Sequence, residues 1–422
     1  MSSEEEKTTK IVSEYKVVKT VPQVMEHDLL SNNNLLAVLS HLPVKTLLGF
    51  KCVSKKCRHS ISTDRLFIKA QLETTGLVLS GFFFQEKMFT YEDLKGKSYI
   101  NLPSLFDDIR RSKPVVHRNI FSFLPEDVVL LSSCNGLICC RSCGFMTSPT
   151  KTTFYICNPV NKQWIPLDCP DFDRFGSFAL AFDPFKEPID VPTKFKLVRV
   201  TQVEIVSRED EILYCTYFQI YSSETKLWKT SKASCLYNLE VLENVLGIYI
   251  KGVLYWRANI RDIPTFDDIL TFDVEKESSL VITPPILLTE FKVTCIGEWK
   301  EILHYVMITK QGLHVWYLED YTKAKWNQKV WKSLEEIGCA NSNFNDKLKK
   351  LILQSVDLGV NMGICLLSFK DGELVMNLHD DEVYFYNIED NMIVEACNHQ
   401  DLSAKRLPCL VIPYSMSLVP LR

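Results

Sequence analysis

The chain has 422 residues, 46% hydrophobic and 24% charged, so it can bury a large core and reads as a folded globular protein. A formal net charge of −4 argues against a broad basic face for nucleic acid, and no apolar run reaches the length of a membrane span. The polar start Met1–Lys7 lacks the form of a secretory signal, and fifteen cysteines, an odd number, then point to a reducing compartment (cytoplasm, nucleus or both) with mostly unpaired thiols.

Residues 1–25 are polar and read as a disordered tail. Residues 26–72 read as short helices. Leu35, Leu36, Leu39 and Leu42 fall at helical spacing, with Asn32, Asn33 and Asn34 ahead of them as cap residues. Pro43 ends that helix and suits the start of the next, which carries Leu47, Leu48 and Phe50. Ser54 is placed to cap a third helix bearing Cys57 and Ile61. The segment is rich in large apolar side chains and too short to cover them easily. The expectation is an exposed patch over Leu35, Leu39, Leu42, Pro43 and Leu47, to be covered by a partner.

From Gly76 to the C-terminus the chain turns to short strands and polar turns, an all-β domain of mainly antiparallel character. The helical exceptions are Leu102 to Arg111 and Asn345 to Leu351. A weak repeat runs through the strands. Phe154 to Trp164 and Phe218 to Trp228 each give an apolar strand, a polar turn and a returning tryptophan. Ile269 to Leu280 keeps the form with leucine, and Leu313 to Trp326 and Val383 to Ile393 follow it loosely. Asn135-Gly136, Lys251-Gly252 and Asp371-Gly372 open a second strand type, where glycine supplies the positive φ of a hairpin turn. The spacing is irregular, on the order of 50–60 residues, near that of propeller blades. Each such sheet cannot bury both faces alone, so a β-propeller of roughly six blades is favoured over a sandwich. Closure would bring Cys409–Ile412 and Ser417–Val419 beside an early segment such as Phe121 to Leu131.

Catalytic constellations are poor. There is no phosphate loop, no nucleophile elbow and no zinc-protease helix. Asp107-Asp108, Asp267-Asp268 and Asp380-Asp381 read as solvated turn residues. Cys140 and Cys143 form a C-x-x-C, with Cys134 and Cys139 nearby. But Cys139 and Cys140 are adjacent on one strand and point to opposite faces, which disfavours a shared metal. No metal, no cofactor and no catalytic residue is expected. Trp164 and Trp228 could stack on a sugar, but their equivalent places in the repeat suit blade packing better.

The run LLAVLSHLPVKTLLGFKCVSKKCRHSIS resembles an F-box, in the form joined to an F-box-associated domain in a large plant family. Two positions depart from that pattern: Leu30-Ser31 stands for the opening Leu-Pro, and Cys57 for a tryptophan. Later stretches are similar to successive signature strands of the associated domain: SSCNGLICC, YICNPVNKQWIPLDCP, FQIYSSETKLWKT, IKGVLYWRA and ILTFDVEKE. So are Phe178–Pro184 and Phe195–Val198. The resemblance implies helices that dock on a Skp-type adaptor of a cullin–RING ubiquitin ligase, through Leu35, Leu39, Leu42, Pro43, Leu47 and Leu48. It also implies a kelch-like propeller that recruits a protein target, with no bond chemistry of its own. Candidate target-binding residues are Asp171, Phe172, Arg174, Arg257, Arg261 and Phe266, which mix aromatic and charged character between strands. The alternatives are a propeller that binds a small ligand or sugar, or acts as an enzyme, without any ligase role, and an F-box relic that binds adaptor weakly.

Overall fold

The computed structural model describes residues 32–85, 97–101, 116–142, 152–168, 176–186, 192–206, 212–235, 239–240, 245–260, 267–285, 291–338, 342–378, 382–398, 401–402 and 410–421. Four helices come first: Asn32–Ser40, Val44–Phe50, Lys55–Thr63 and Arg65–Thr75. The first already begins at Asn32, so the three asparagines lie within its opening turn rather than ahead of it. Ser54 caps the third helix as expected, its hydroxyl accepting from the Cys57 N–H at 3.0 Å. Asp64 does the same for the fourth, accepting from Leu66 and Phe67, and so breaks one helical stretch into two. Gly76 ends the helical region at φ 65°.

The helices enclose a small core of Leu39, Leu47, Ile61, Phe67, Ile68 and Leu72. Gln71 on the fourth helix donates to the Leu42 carbonyl at 3.3 Å and ties that helix to the first turn. This core is continuous with side chains of the β domain, including Leu137, Phe154, Phe178 and Leu418. The helical and β regions therefore share one apolar cluster.

The first sheet holds β1 (Leu79–Gln85), β2 (Lys97–Asn101) and β3 (Val116–Arg118). The second is β4 (Val128–Cys134), β5 (Leu137–Ser142), β6 (Phe154–Asn158) and β7 (Gln163–Leu167). The third is β8 (Ser177–Ala181), β9 (Lys196–Val206), β10 (Ile212–Ser222) and β11 (Leu227–Cys235). The fourth joins β12 (Leu239–Glu240), β13 (Ile248–Ile250), β14 (Val253–Ile260), β15 (Asp267–Asp273) and β16 (Ser278–Ile282). Then come β17 (Lys292–Trp299), β18 (Ile302–Thr309), β19 (Gly312–Asp320) and β20 (Lys325–Ser333). Two helices, Leu334–Gly338 and Ser342–Leu358, lead to β21 (Cys365–Lys370), β22 (Glu373–Leu378), β23 (Glu382–Asn387) and β24 (Met392–Asn398). Last, β25 (Leu410–Ser415) pairs antiparallel with β1, so the final strand completes the first sheet.

The sheets meet through their inner strands. β25 packs on β4, β4 on β8, β8 on β13, β13 on β17, β17 on β21, and β21 on β25. Among the described residues that makes six antiparallel units, each resting on the next, with the contacts returning to the start. The fifth and sixth are also joined by a short parallel pairing, Gly297 with Phe369 and Glu298 with Lys370. Gly297 is required there: a Cβ at that position would lie 1.9 Å from the Phe369 carbonyl oxygen. The C-terminal run hydrogen-bonds with the first sheet rather than with Phe121 to Leu131, although β25 does touch β4. Ser417 to Val419 form no strand. Their carbonyls are held instead by the side-chain amides of Asn158 and Asn161.

The glycine turns behave as expected. Asn135 and Gly136 (φ 49° and 92°), Lys251 and Gly252 (47° and 93°), and Asp371 and Gly372 (51° and 83°) have the paired positive φ of tight hairpin turns. The turns of the tryptophan repeat use a different device. The side chains of Asn158, Asp273 and Asn387 each accept backbone N–H bonds from the turn that follows. Trp228 and Trp326, on the outermost strands β11 and β20, each donate an indole N–H at 3.0 Å to a carbonyl at the exit of the preceding sheet, Asp168 and Thr283. They fasten neighbouring units. Trp164 packs edge-on against Tyr155. Cys139 and Cys140 do point to opposite faces, each into a different apolar cluster. The helix expected at Asn345 to Leu351 is there within Ser342–Leu358, and Leu102 to Arg111 lies outside the described residues. Asp267 and Asp268 sit in strand β15 rather than in a turn, and Asp268 is buried. Asp107-Asp108 and Asp380-Asp381 lie outside the described residues.

Candidate adaptor face and central cavity

The helical segment does not expose the whole stripe read from its sequence. Leu39 and Leu47 are 2% and 0% exposed and form the local core. Helical periodicity explains the difference, since a four-helix cluster this small needs its most regular apolar positions for itself. Leu35, Leu42 and Leu48 are only partly covered, and Pro43 is exposed. Val38 and Val53 in the same helical segment are also exposed, at 61% and 69%. The signal for Val38 was present: Leu35, Val38 and Leu42 are three and four residues apart, on a second stripe beside the buried one. Cys57 is buried among the helices, so the residue standing for a tryptophan is a core position, and Ser31 lies outside the described residues. Around this apolar surface Lys45, Lys55, Lys56 and Arg58 are exposed. Lys51 is half-buried, and that burial holds its ammonium below the ordinary lysine value.

A second concave feature lies where the inner strands converge. It is a cavity of about 480 Å³, walled by residues of β4, β13, β14, β17, β21 and β25. Glu298 and Lys370 stand in its wall as an ion pair at 2.6 Å, with both side chains mostly buried. Burial opposes the charge on each. The Lys370 ammonium nevertheless holds the Glu298 carboxyl below the usual carboxylate range, and Glu298 with Asp371 holds Lys370 above the usual lysine value. Asp371, which accepts from the Leu79 N–H, is pushed up by its own burial. Burial also pushes the thiols of Cys134 and Cys295 in the wall up to about 12, so neither is an activated nucleophile.

Of the six candidate target-binding residues, only Arg257 is among the described residues; Asp171, Phe172, Arg174, Arg261 and Phe266 are outside them. Arg257 is not on a loop. It sits in β14, donates to the Thr294 carbonyl of β17 at 3.0 Å, and lines the cavity. Pairing with β15 carries the strand on to Asn259, beyond the point where its composition turns charged. Among the described residues no group of histidine, cysteine and carboxylate side chains is arranged to hold a metal, and eleven cysteines are reduced thiols. No helix among them is long and apolar enough to cross a membrane.

Comparison with known proteins agrees with this architecture. Residues 28–69 match the F-box domain, and residues 108–397, more than half of the chain, match the family described as F-box protein At3g26010-like, beta-propeller. The chain belongs to this F-box family. The F-box match covers the first three helices and the start of the fourth, and the propeller match runs from before β3 into β24. Three Arabidopsis thaliana relatives are similar over most of the F-box chain. F-box protein At5g07610 is 27% identical, covering 72% of this chain and 71% of its own. Putative F-box protein At1g32420 is 25% identical over 68% and 84%, and F-box protein At1g30790 is 23% identical over 84% and 86%.

Proposed function

We propose that this protein is the substrate-recognition subunit of a Skp–cullin–F-box ubiquitin ligase. Its F-box binds a Skp-type adaptor and its β domain recruits a protein target. The observation that carries the reading is the joining, in one chain, of an F-box whose helices leave apolar side chains uncovered to a β domain of propeller type. The adaptor contact is assigned to Leu35, Leu42, Pro43 and Leu48 with Val38 beside them, while Leu39 and Leu47 hold the helices in place behind that surface. The protein does no bond chemistry in this role. It raises the effective concentration of target lysines near the ubiquitin-loaded enzyme. Such a complex would work in the cytoplasm or the nucleus.

The test is isolation of the full chain from cells with its bound proteins. Recovery of a Skp-type adaptor with a cullin supports the proposal. Recovery of the intact chain with neither would favour a propeller that acts on its own, or an F-box that has lost its partner.

A further inference from the structure

The cavity at the meeting of the inner strands joins an apolar wall to a polar group that no neighbour answers. Leu246, Ile248, Ile296 and Leu366 line it and are only half-buried. The charged residues of the wall are engaged: Glu298 pairs with Lys370, Arg257 donates to the Thr294 carbonyl, and Lys292 also has a partner. Ser415 differs. It lies in the wall at the end of β25 and is 4% exposed, and its hydroxyl oxygen is buried with no hydrogen-bond partner. Buried hydroxyls are ordinarily hydrogen-bonded, so an unanswered one beside an enclosed space points to a group that enters that space. Rotation about its single χ1 bond lets the Oγ turn toward such a group. The volume, about 480 Å³, falls in the range of sites that enclose small organic molecules, and such sites combine apolar walls with a few placed polar groups.

From this geometry we infer that the central cavity binds a small uncharged organic molecule, an apolar body with one hydroxyl or carbonyl group that hydrogen-bonds to Ser415. The body rests on Leu246, Ile248, Ile296 and Leu366. The Ser415 hydroxyl donates to a carbonyl, or donates or accepts with a hydroxyl. An ionised ligand fits poorly, because the charged groups of the wall are already matched and a buried charge without a counter-charge of its own is costly. Water would answer Ser415 but would leave the apolar wall wet. The site is separate from the apolar face of the helices, so this inference stands whether or not the F-box binds an adaptor.

The experiment is equilibrium dialysis of the full chain at neutral pH, with 2-naphthol as probe, 2-methylnaphthalene as its counterpart without a hydroxyl and 2-naphthoate as its charged counterpart. The expected result is saturable one-to-one binding of 2-naphthol, about tenfold tighter than either counterpart. Ser415→Ala should lose about tenfold for 2-naphthol and leave 2-methylnaphthalene unchanged, which separates loss of the hydroxyl from loss of fold. Location is read from Cys365, a reduced and half-buried thiol in the wall. 2-Naphthol should slow its alkylation by iodoacetamide and leave that of the exposed Cys52 unchanged. Equal affinity for 2-naphthol and 2-methylnaphthalene, tighter binding of 2-naphthoate, an unaltered preference in Ser415→Ala, or binding without protection of Cys365 would each overturn the assignment. So would the absence of saturable binding by 2-naphthol, which would leave ordered water as the occupant.

Discussion

The helical segment and the β domain are held together by different means. The helices rely on a small core around Leu39, Leu47, Ile61 and Ile68, on the side-chain caps Ser54 and Asp64, and on apolar contact with the sheets. The β domain has several large apolar clusters, strand pairing that brings the last strand back to the first sheet, and a buried ion pair where two sheets join. One region is economical and leaves apolar side chains uncovered. The other buries most of what it has. Damage should therefore differ in kind: at the sheet joints it should unfold the ring, and on the outer helix face it should cost binding alone.

The joint of β17 and β21 is the place to press hardest. Gly297→Val puts carbon where the Phe369 backbone already is, and backbone cannot move aside as a side chain can. The expected loss is at least about 3 kcal/mol in chemical denaturation. An effect under about 1 kcal/mol would show that the joint yields easily.

Lys370→Met tests the same joint electrostatically. It strands the buried Glu298 carboxylate, and removing one partner of a buried pair costs roughly 3–5 kcal/mol. The pH dependence has a definite sign. Glu298 is held below its usual value of 4.5, so its contribution is complete above that pH and is lost as pH falls through its depressed folded value. Asp371, raised by burial, works in the opposite direction and costs stability as pH rises past 3.8 toward its folded value. At this joint between the fifth and sixth units, Lys370→Met should flatten the acid limb that Glu298 contributes. His304 adds a separate acid sensitivity. Burial pushes it down to about 4 from 6.5, so it folds neutral and stability falls as pH drops between those values. His304→Gln should remove that part of the profile.

Much of this was legible in sequence because local chemistry spelled it out. Asn135-Gly136, Lys251-Gly252 and Asp371-Gly372 mark their hairpins because the paired positive φ demands such residues. Ser54 marks a helix start because its hydroxyl has one natural partner three residues on. What was not legible depended on distant partners. Nothing near Gly297 announces Phe369, and nothing near Glu298 announces Lys370, seventy-two positions away. The apolar stripe of Leu35, Leu39 and Leu42 was visible, but which of its members faces inward is set by Phe67, Ile68 and Leu72 on a later helix. Arg257 read as a loop residue because a strand's end is fixed by its pairing with β15 and not by its own composition.

The smallest stability effect belongs to the helical segment. Ser54→Ala removes one capping bond and should cost about 1 kcal/mol, seen in the helices while the sheets keep their unfolding transition. Loss of the same size in both regions would mean that the shared apolar cluster couples them into one cooperative unit.

The division between an inward and an outward apolar face is the central claim, and one paired measurement tests it. The full chain, its Leu42→Asp/Pro43→Ala variant and its Leu39→Ala variant are each titrated with a purified Skp-type adaptor and each unfolded thermally. Leu42→Asp/Pro43→Ala is expected to abolish adaptor binding, since an unpaired carboxylate at a desolvated interface costs several kcal/mol, while the unfolding transition stays in place. Leu39→Ala is expected to cost roughly 2–5 kcal/mol of stability. Adaptor binding at wild-type strength by the Leu42→Asp/Pro43→Ala variant would contradict the account, as would a wild-type chain that binds no Skp-type adaptor.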